Sequence, residues 1–261
     1  IVHERPDNYG CVDAVGNVQL VGMSYWETLD LPPNWAGWMT SMDQIWAGSE
    51  FNRNGFVGSG VPDWMVHEVG HPVDQALLDA SPSQTTIRKR WPEETVFLSV
   101  VSSVSGRRDI SLLYESFSTA FSADDDVALV LKVPEGAEAT IRATLGSVMA
   151  SLPARRSGTW PSVYVIPEDL SREQLIRLHA SVDCYVSCER GDGWDLPAMD
   201  SLILGVPVVA TDFGASGSFL DADDCFLVKT GSKMVSCDSN MTSRHPLYSG
   251  HYWPYVDPEV L

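Results

Sequence analysis

Two carboxylates and three cations occupy positions where a parallel sheet would gather them. Asp192 lies in the loop Gly191-Asp192-Gly193-Trp194, and Asp200 follows eight residues later. Arg107 and Arg108 come just after one strand-like run, and Lys132 ends another. Carboxylates accept hydrogen bonds from sugar and ribose hydroxyls. Arginine offers phosphate a bidentate fork and lysine a point charge. Without further context the residues have plainer roles: Asp192 caps a helix, Asp200 is a solvated helix acid, the arginine pair decorates a loop and Lys132 a strand end, because such groups are mostly exposed. The six histidines form no ligand-spaced cluster, and Asp124-Asp125-Asp126 reads as a solvated turn. No metal site is expected.

The stretch 182–212 must position the two acids. Val182 to Ser187 is short, apolar and partly β-branched, a strand. Leu196 to Leu204 has helical spacing, with Leu196, Met199, Leu202 and Ile203 on one face, Pro197 in the first turn and Gly205 as a stop. Val206 to Ala210 is a second apolar strand. This is a βαβ unit of a parallel sheet, whose loop and helix N-terminus lie at the carboxyl end of the first strand. Free backbone N–H groups there favour phosphate. Upstream, strands at Thr95 to Val101, Val127 to Val133 and Val163 to Ile166 alternate with helices at Ile110 to Phe121, at 137–151 and after Ser171, the doubly wound pattern. Arg107, Arg108 and Lys132 therefore face the same edge as the 191–196 loop.

The wording of the stretch resembles the donor-binding signature of retaining GT-B glycosyltransferases, family 4 in particular. Asp192-Gly193-Trp194-Asp195-Leu196-Pro197 stands where the family has Glu-Gly-Phe-Gly-Leu-Pro. Asp200 stands at its second glutamate, and Gly205-Val206-Pro207-Val208-Val209-Ala210 at its Gly-x-Pro-Val-Val-Ala. Both glutamates are aspartates here, and Asp195 replaces the second glycine. Earlier segments resemble the end of the family's N-terminal domain: Trp26-Glu27-Thr28, Pro32-Pro33-Asn34-Trp35, Asp43-Gln44-Ile45-Trp46 through Phe51, and Gly70-His71-Pro72-Val73-Asp74. The family's preceding βα units are not in the sequence, so the resemblance implies a truncated N-terminal domain.

The resemblance implies an α/β fold: a GT-B-type, Rossmann-like parallel sheet in the C-terminal domain and a small, incomplete N-terminal α/β part. Residues 1–75 would be the end of the acceptor-side domain, 76–93 a linker and 94–261 the donor-binding domain. The implied activity is metal-independent, retaining transfer from a UDP-, GDP-, ADP- or dTDP-sugar to a carbohydrate or glycoconjugate acceptor, with no cofactor. Asp192 would hold sugar hydroxyls. Asp200, facing the crevice, would hold ribose hydroxyls. Arg107, Arg108, Lys132 and the N–H groups of Gly193, Trp194, Asp195 and Leu196 would take the diphosphate, and Glu27 would lie on the acceptor side. The alternative is a non-catalytic or incomplete sugar-nucleotide-binding module that needs a partner chain. A GT-B epimerase is a weaker third reading.

The 261 residues suffice for a sizeable core, and 44% of them are hydrophobic. A formal charge of −18 argues against nucleic-acid partners, which need a basic surface. No apolar run reaches the roughly 18 residues of a membrane span, and the first residues do not read as a signal peptide. The five cysteines match no zinc pattern and read as free thiols in a reducing cytoplasm. Six of the nine tryptophans lie at or before residue 91; they could stack on sugars, but filling a small core is their usual work.

In the first part, residues 1–17 read as loop, Gln19 to Tyr25 as strand, Pro32 onward as a short helix, Gln44 to Ala47 as strand, 50–57 as a helix capped by Ser49, and Trp64 to Val69 as strand. After Gly217 the chain reads as loop, with a closing helix beginning near Asp257.

Overall fold

The computed structural model describes residues 1–11, 16–80, 91–101, 106–152, 160–221, 223 and 225–261. The first part forms a four-stranded parallel sheet in sequential order: β1 (Val2–His3), β2 (Val21–Ser24), β3 (Gln44–Ala47) and β4 (Val66–Glu68). Its helices are α1 (Trp35–Met39), α2 (Glu50–Gly58) and α3 (Gln75–Leu78). Ser49 caps α2 by accepting the Asn52 N–H at 3.2 Å, as its type and place require. The opening residues are not a loop. Val2 and His3 pair with Gly22 and Met23, and a 3-10 turn over Pro6–Cys11 carries Tyr9 into the core. Gly22 makes room for it, since a Cβ there would lie 2.6 Å from the tyrosine ring.

The second sheet has six strands. β5 (Thr95–Val100) is one of its two central strands and pairs with β6 (Val127–Lys132), which is buried throughout, as suits a strand covered on both faces. β7 (Ser162–Ile166) lies outside β6. β8 (Cys184–Ser187) lies on the other side of β5, followed by β9 (Val208–Thr211) and β10 (Phe226–Val228). Every pair is parallel. The chain builds outward from β5 to β7 and then returns beside β5. The switch point, where open α/β sheets bind ligands, is thus at the carboxyl ends of β5 and β8. The connecting helices are α4 (Ile110–Ala120), α5 (Glu138–Ser151), α6 (Arg172–His179) and α7 (Leu196–Ile203). Gly205 ends the α7 turn with a φ of 74°.

Two apolar clusters cover the two faces of this sheet. A third fills the first part, and the C-terminal segment shares it. After β10 the chain forms an antiparallel ribbon, β11 (Met234–Ser236) with β12 (Tyr252–Pro254), around α8 (Ser239–Arg244). Cys237, Met241, Tyr248 and Trp253 join Trp26, Trp35 and Met39 in one core. The Trp26 and Tyr248 rings stack at 4.8 Å, and Thr28 Oγ1 lies 2.9 Å from His251 Nδ1. The region after Gly217 is therefore structured rather than loop. Beyond Asp257 only a turn forms, not the expected helix.

In the 76–93 segment, residues 81–90 fall outside the described residues, and Trp91 is buried in the core of the large sheet. Cys188, Cys225 and Cys237 are buried and Cys184 half-buried, all as free thiols; the Cys11 side chain lies outside the described residues. Among the described residues no helix is long and apolar enough to cross a membrane.

Candidate functional site

The switch point holds an arginine among acids. Arg108 pairs across a β-bridge with Glu189, the second residue beyond β8. Its guanidinium is buried: it ion-pairs with Glu189, donates to Asp192 Oδ2 at 3.0 Å and donates to the Val100 carbonyl at 2.8 Å. Asp192 Oδ1 accepts the Trp194 N–H at 3.0 Å. Asp195, fully buried, caps α7 by accepting the Ala198 N–H at 3.2 Å and also accepts the Ser187 hydroxyl. Carboxylate oxygens of Glu189, Asp192 and Asp195 lie within 4.8 Å of one another, the one such acid group among the described residues. Burial pushes the Glu189 carboxyl well above its usual range against the pull of Arg108. It also raises Asp195, with the Asp192 charge adding to the effect. These donors could ligate a cation, but the Arg108 guanidinium already sits among them.

The first sheet closes on this point. Arg107 Nη1 donates to Glu27 Oε1 at 2.7 Å, and the Tyr248 hydroxyl donates to Glu27 Oε2 at 2.6 Å. Burial raises the Glu27 pKa, and Arg107 opposes the shift. Gly191 and Gly193 permit the close approach: a Cβ on the first would lie 2.3 Å from the Glu27 carbonyl oxygen, and on the second 2.6 Å from Tyr25 Cβ. Gly214, at φ +84°, backs the loop from the other side, where a Cβ would meet the Asp192 carbonyl oxygen at 3.0 Å. Lys132, buried at the end of β6, donates to the Val133 carbonyl at 2.6 Å and makes no ion pair among the described residues.

Asp200 belongs to a second arginine. Its carboxylate is 3% exposed, and both oxygens accept from Arg172, Oδ1 at 3.1 Å. Arg172 Nε donates to Asp74 Oδ2 at 2.9 Å. Arg172 is the first residue of α6, so it stands at the carboxyl edge of the sheet after β7. Nearby, Trp194 lies between the rings of His71 and Phe219, with centroids 6.2 and 4.8 Å away, and its Nε1 donates to Met199 Sδ at 3.1 Å. Leu196, at the start of α7, is exposed.

Solved structures share this arrangement of sheets. Anabaena HepE in complex with UDP-glucose aligns with a TM-score of 0.64 at 15% identity, over 82% of this chain and 59% of its own. S. aureus TarM, in a complex that contains UDP, aligns with a TM-score of 0.64 at 13% identity, over 87% of this chain and 44% of its own. A UDP-forming trehalose-phosphate synthase from Burkholderia xenovorans gives 0.61 at 14% identity, over 82% and 57%. The fold is GT-B-type. No protein-family model and no curated protein matches the sequence. The chain spans about half the length of the GT-B structures it matches.

On this GT-B frame the structure brings Arg107, Arg108, Asp192, Gly193, Asp195 and Glu27 to one place. Asp200 does not face an open crevice, because Arg172 covers it. Two of the N–H groups expected to be free for a diphosphate are engaged locally: that of Trp194 by Asp192 and that of Leu196 by the Trp194 carbonyl at 2.8 Å. The Asp195 side chain serves as a helix cap. Reading the sequence missed Glu189, Arg172 and Tyr248. Glu189 and Arg172 each follow a strand on the edge already singled out, so topology alone could have flagged them. Tyr248 is more than two hundred residues from Glu27 and carried no local signal.

Proposed function

We propose that the chain binds a nucleoside-diphosphate sugar at the switch point and transfers the sugar to a carbohydrate or glycoconjugate acceptor with retention, without a metal. The observation that carries this reading is Arg108, held between Glu189 and Asp192 at the carboxyl ends of β5 and β8. GT-B neighbours solved with UDP-glucose and with UDP support a nucleotide ligand. Arg107, Arg108 and Lys132 supply the countercharge that a departing diphosphate needs, the task a metal ion would otherwise perform. As the bond to phosphate breaks, positive charge develops on the sugar ring, and the acids around Asp192 stabilise it. The acceptor then attacks from the face the diphosphate leaves, so catalysis is mainly positioning and electrostatics.

A second reading, a binding module without turnover, has its own support: Glu27 occupies Arg107, and the 191–193 loop already touches the first sheet. Titration calorimetry with UDP, GDP, ADP and dTDP in EDTA tests the donor site. Binding of at least one is expected, and a folded protein that gives no heat with any of them overturns the reading. Release of free sugar from the matching sugar nucleotide then separates transferase from silent binder.

A further inference from the structure

Glu27 and Arg107 meet where the two sheets close on each other, and their side chains are only 17% and 18% exposed. Both oxygens of the carboxylate are engaged: Oε1 accepts from Arg107 Nη1 at 2.7 Å, and Oε2 accepts from the Tyr248 hydroxyl at 2.6 Å. The backbones behind these groups are fixed. The Glu27 carbonyl packs on Gly191, the Arg107 carbonyl accepts the Arg190 N–H at 2.8 Å, and the Tyr248 ring stacks on Trp26. A change of partner therefore needs only side-chain rotation. Among the described residues the Arg107 guanidinium donates this one hydrogen bond, so its planar fork has donors to spare for phosphate. The other charges around the pair are acids. Burial raises the Glu27 carboxyl, Arg107 and Tyr248 hold it down, and Asp192 pushes it up. Glu189 lies within reach of the Arg107 charge as well. A carboxylate placed there that loses its cation is driven to take up a proton.

Resting on the donor-site reading above, we propose that Glu27 is an internal competitor for the donor's diphosphate. The bound diphosphate takes Arg107 from it, and the displaced carboxyl takes a proton from solvent and stays on Tyr248. Departure of the diphosphate reverses both steps. One guanidinium cannot neutralise a carboxylate and a diphosphate together, with Asp192 and Glu189 beside it, and the proton restores the balance. The bound state holds the extra proton, so binding weakens as pH rises.

Calorimetry in EDTA at about pH 8, where the nucleotide phosphates are ionised, tests this with whichever of UDP, GDP, ADP and dTDP the parent binds most tightly. Two buffers of different ionisation heat count the protons. The parent should take up about one proton per nucleotide bound. Glu27→Gln keeps the shape of the side chain; it should bind about tenfold tighter and take up about one proton fewer. In an Arg107→Gln background the same change should no longer tighten binding, because the contested group is gone. A parent that binds none of the four overturns the donor site and this proposal together. A parent that binds without taking up a proton overturns the proposal alone. So does Glu27→Gln with undiminished uptake or no gain in affinity, as a merely structural role requires. A gain that persists in the Arg107→Gln background marks plain charge repulsion and overturns it too. Should Glu27→Gln not fold, the double variant puts two neutral amides in place of the ion pair; it must take up about one proton fewer than the parent, and equal uptake overturns the proposal.

Discussion

Arg108 and Arg172 each answer one acid of the 192–200 pair, in opposite surroundings. Arg108 is buried among Glu189, Asp192 and Asp195, under the closing first sheet. Arg172 is over a third exposed and shares Asp200 with nothing else among the described residues. The contrast shows what burial does to an ion pair. A charge taken out of water must keep its partner, because solvent cannot replace it. A pair at the surface can be exchanged for water or ligand at little cost. The Arg172–Asp74 pair is of the second kind, whereas Asp200, 3% exposed, depends on its arginine as Asp192 does.

The sharpest way to break this comparison is Arg108→Met. It strands buried carboxylates and should cost about 3–5 kcal/mol of stability, read from urea unfolding. A loss below about 1 kcal/mol would mean that water reaches the switch point, and the contrast would fail.

His179 gives a smaller, pH-dependent effect on the Arg172 side. It is fully buried, lies 2.7 Å from Ser201 Oγ through Nδ1, and is held down to about 3 by burial, with the Arg172 charge adding. The unfolded chain therefore takes up this proton first. Stability is complete above about pH 6.5, the ordinary histidine value, and falls toward pH 3 by on the order of 1 kcal/mol per pH unit. His179→Phe should flatten that limb when melting temperatures at pH 7.5 and 4.5 are compared. An equally steep limb in the variant would assign the acid sensitivity to other groups.

Asp74→Asn should have the smallest effect, leaving the melting temperature close to that of the parent. Its pair with Arg172 is exposed, and asparagine can still cap α3. A clear loss by thermal unfolding would make the Arg172–Asp74 pair as obligatory as those of Arg108.

Most of the large sheet was legible because its strands are apolar runs with clear helical repeats between them. The 182–212 stretch could be read almost residue by residue, down to the Gly205 stop. β1 and β10 were not legible. Two or three residues carry no period, and each strand exists only because a neighbour offers it an edge. The ribbon of β11 and β12 escaped for a related reason: its apolar residues face a core built by residues near the other end of the sequence. In the site, residue types pointed to Arg107, Arg108 and Asp192, the family resemblance to Glu27, and the structure brings the four side chains together. The environment of Asp200 was not legible, since nothing local to it encodes the arrival of Arg172 from a separate helix.

The shared core of Trp26, Trp35, Tyr248 and Trp253 has a consequence for synthesis. The Thr28–His251 contact spans 223 positions, so Trp26 and Trp35 gain this part of their cover only once Tyr248 to Trp253 have been made. The strands of the large sheet all lie between these two segments in the sequence, so they are made before the aromatic core of the first part has its last members.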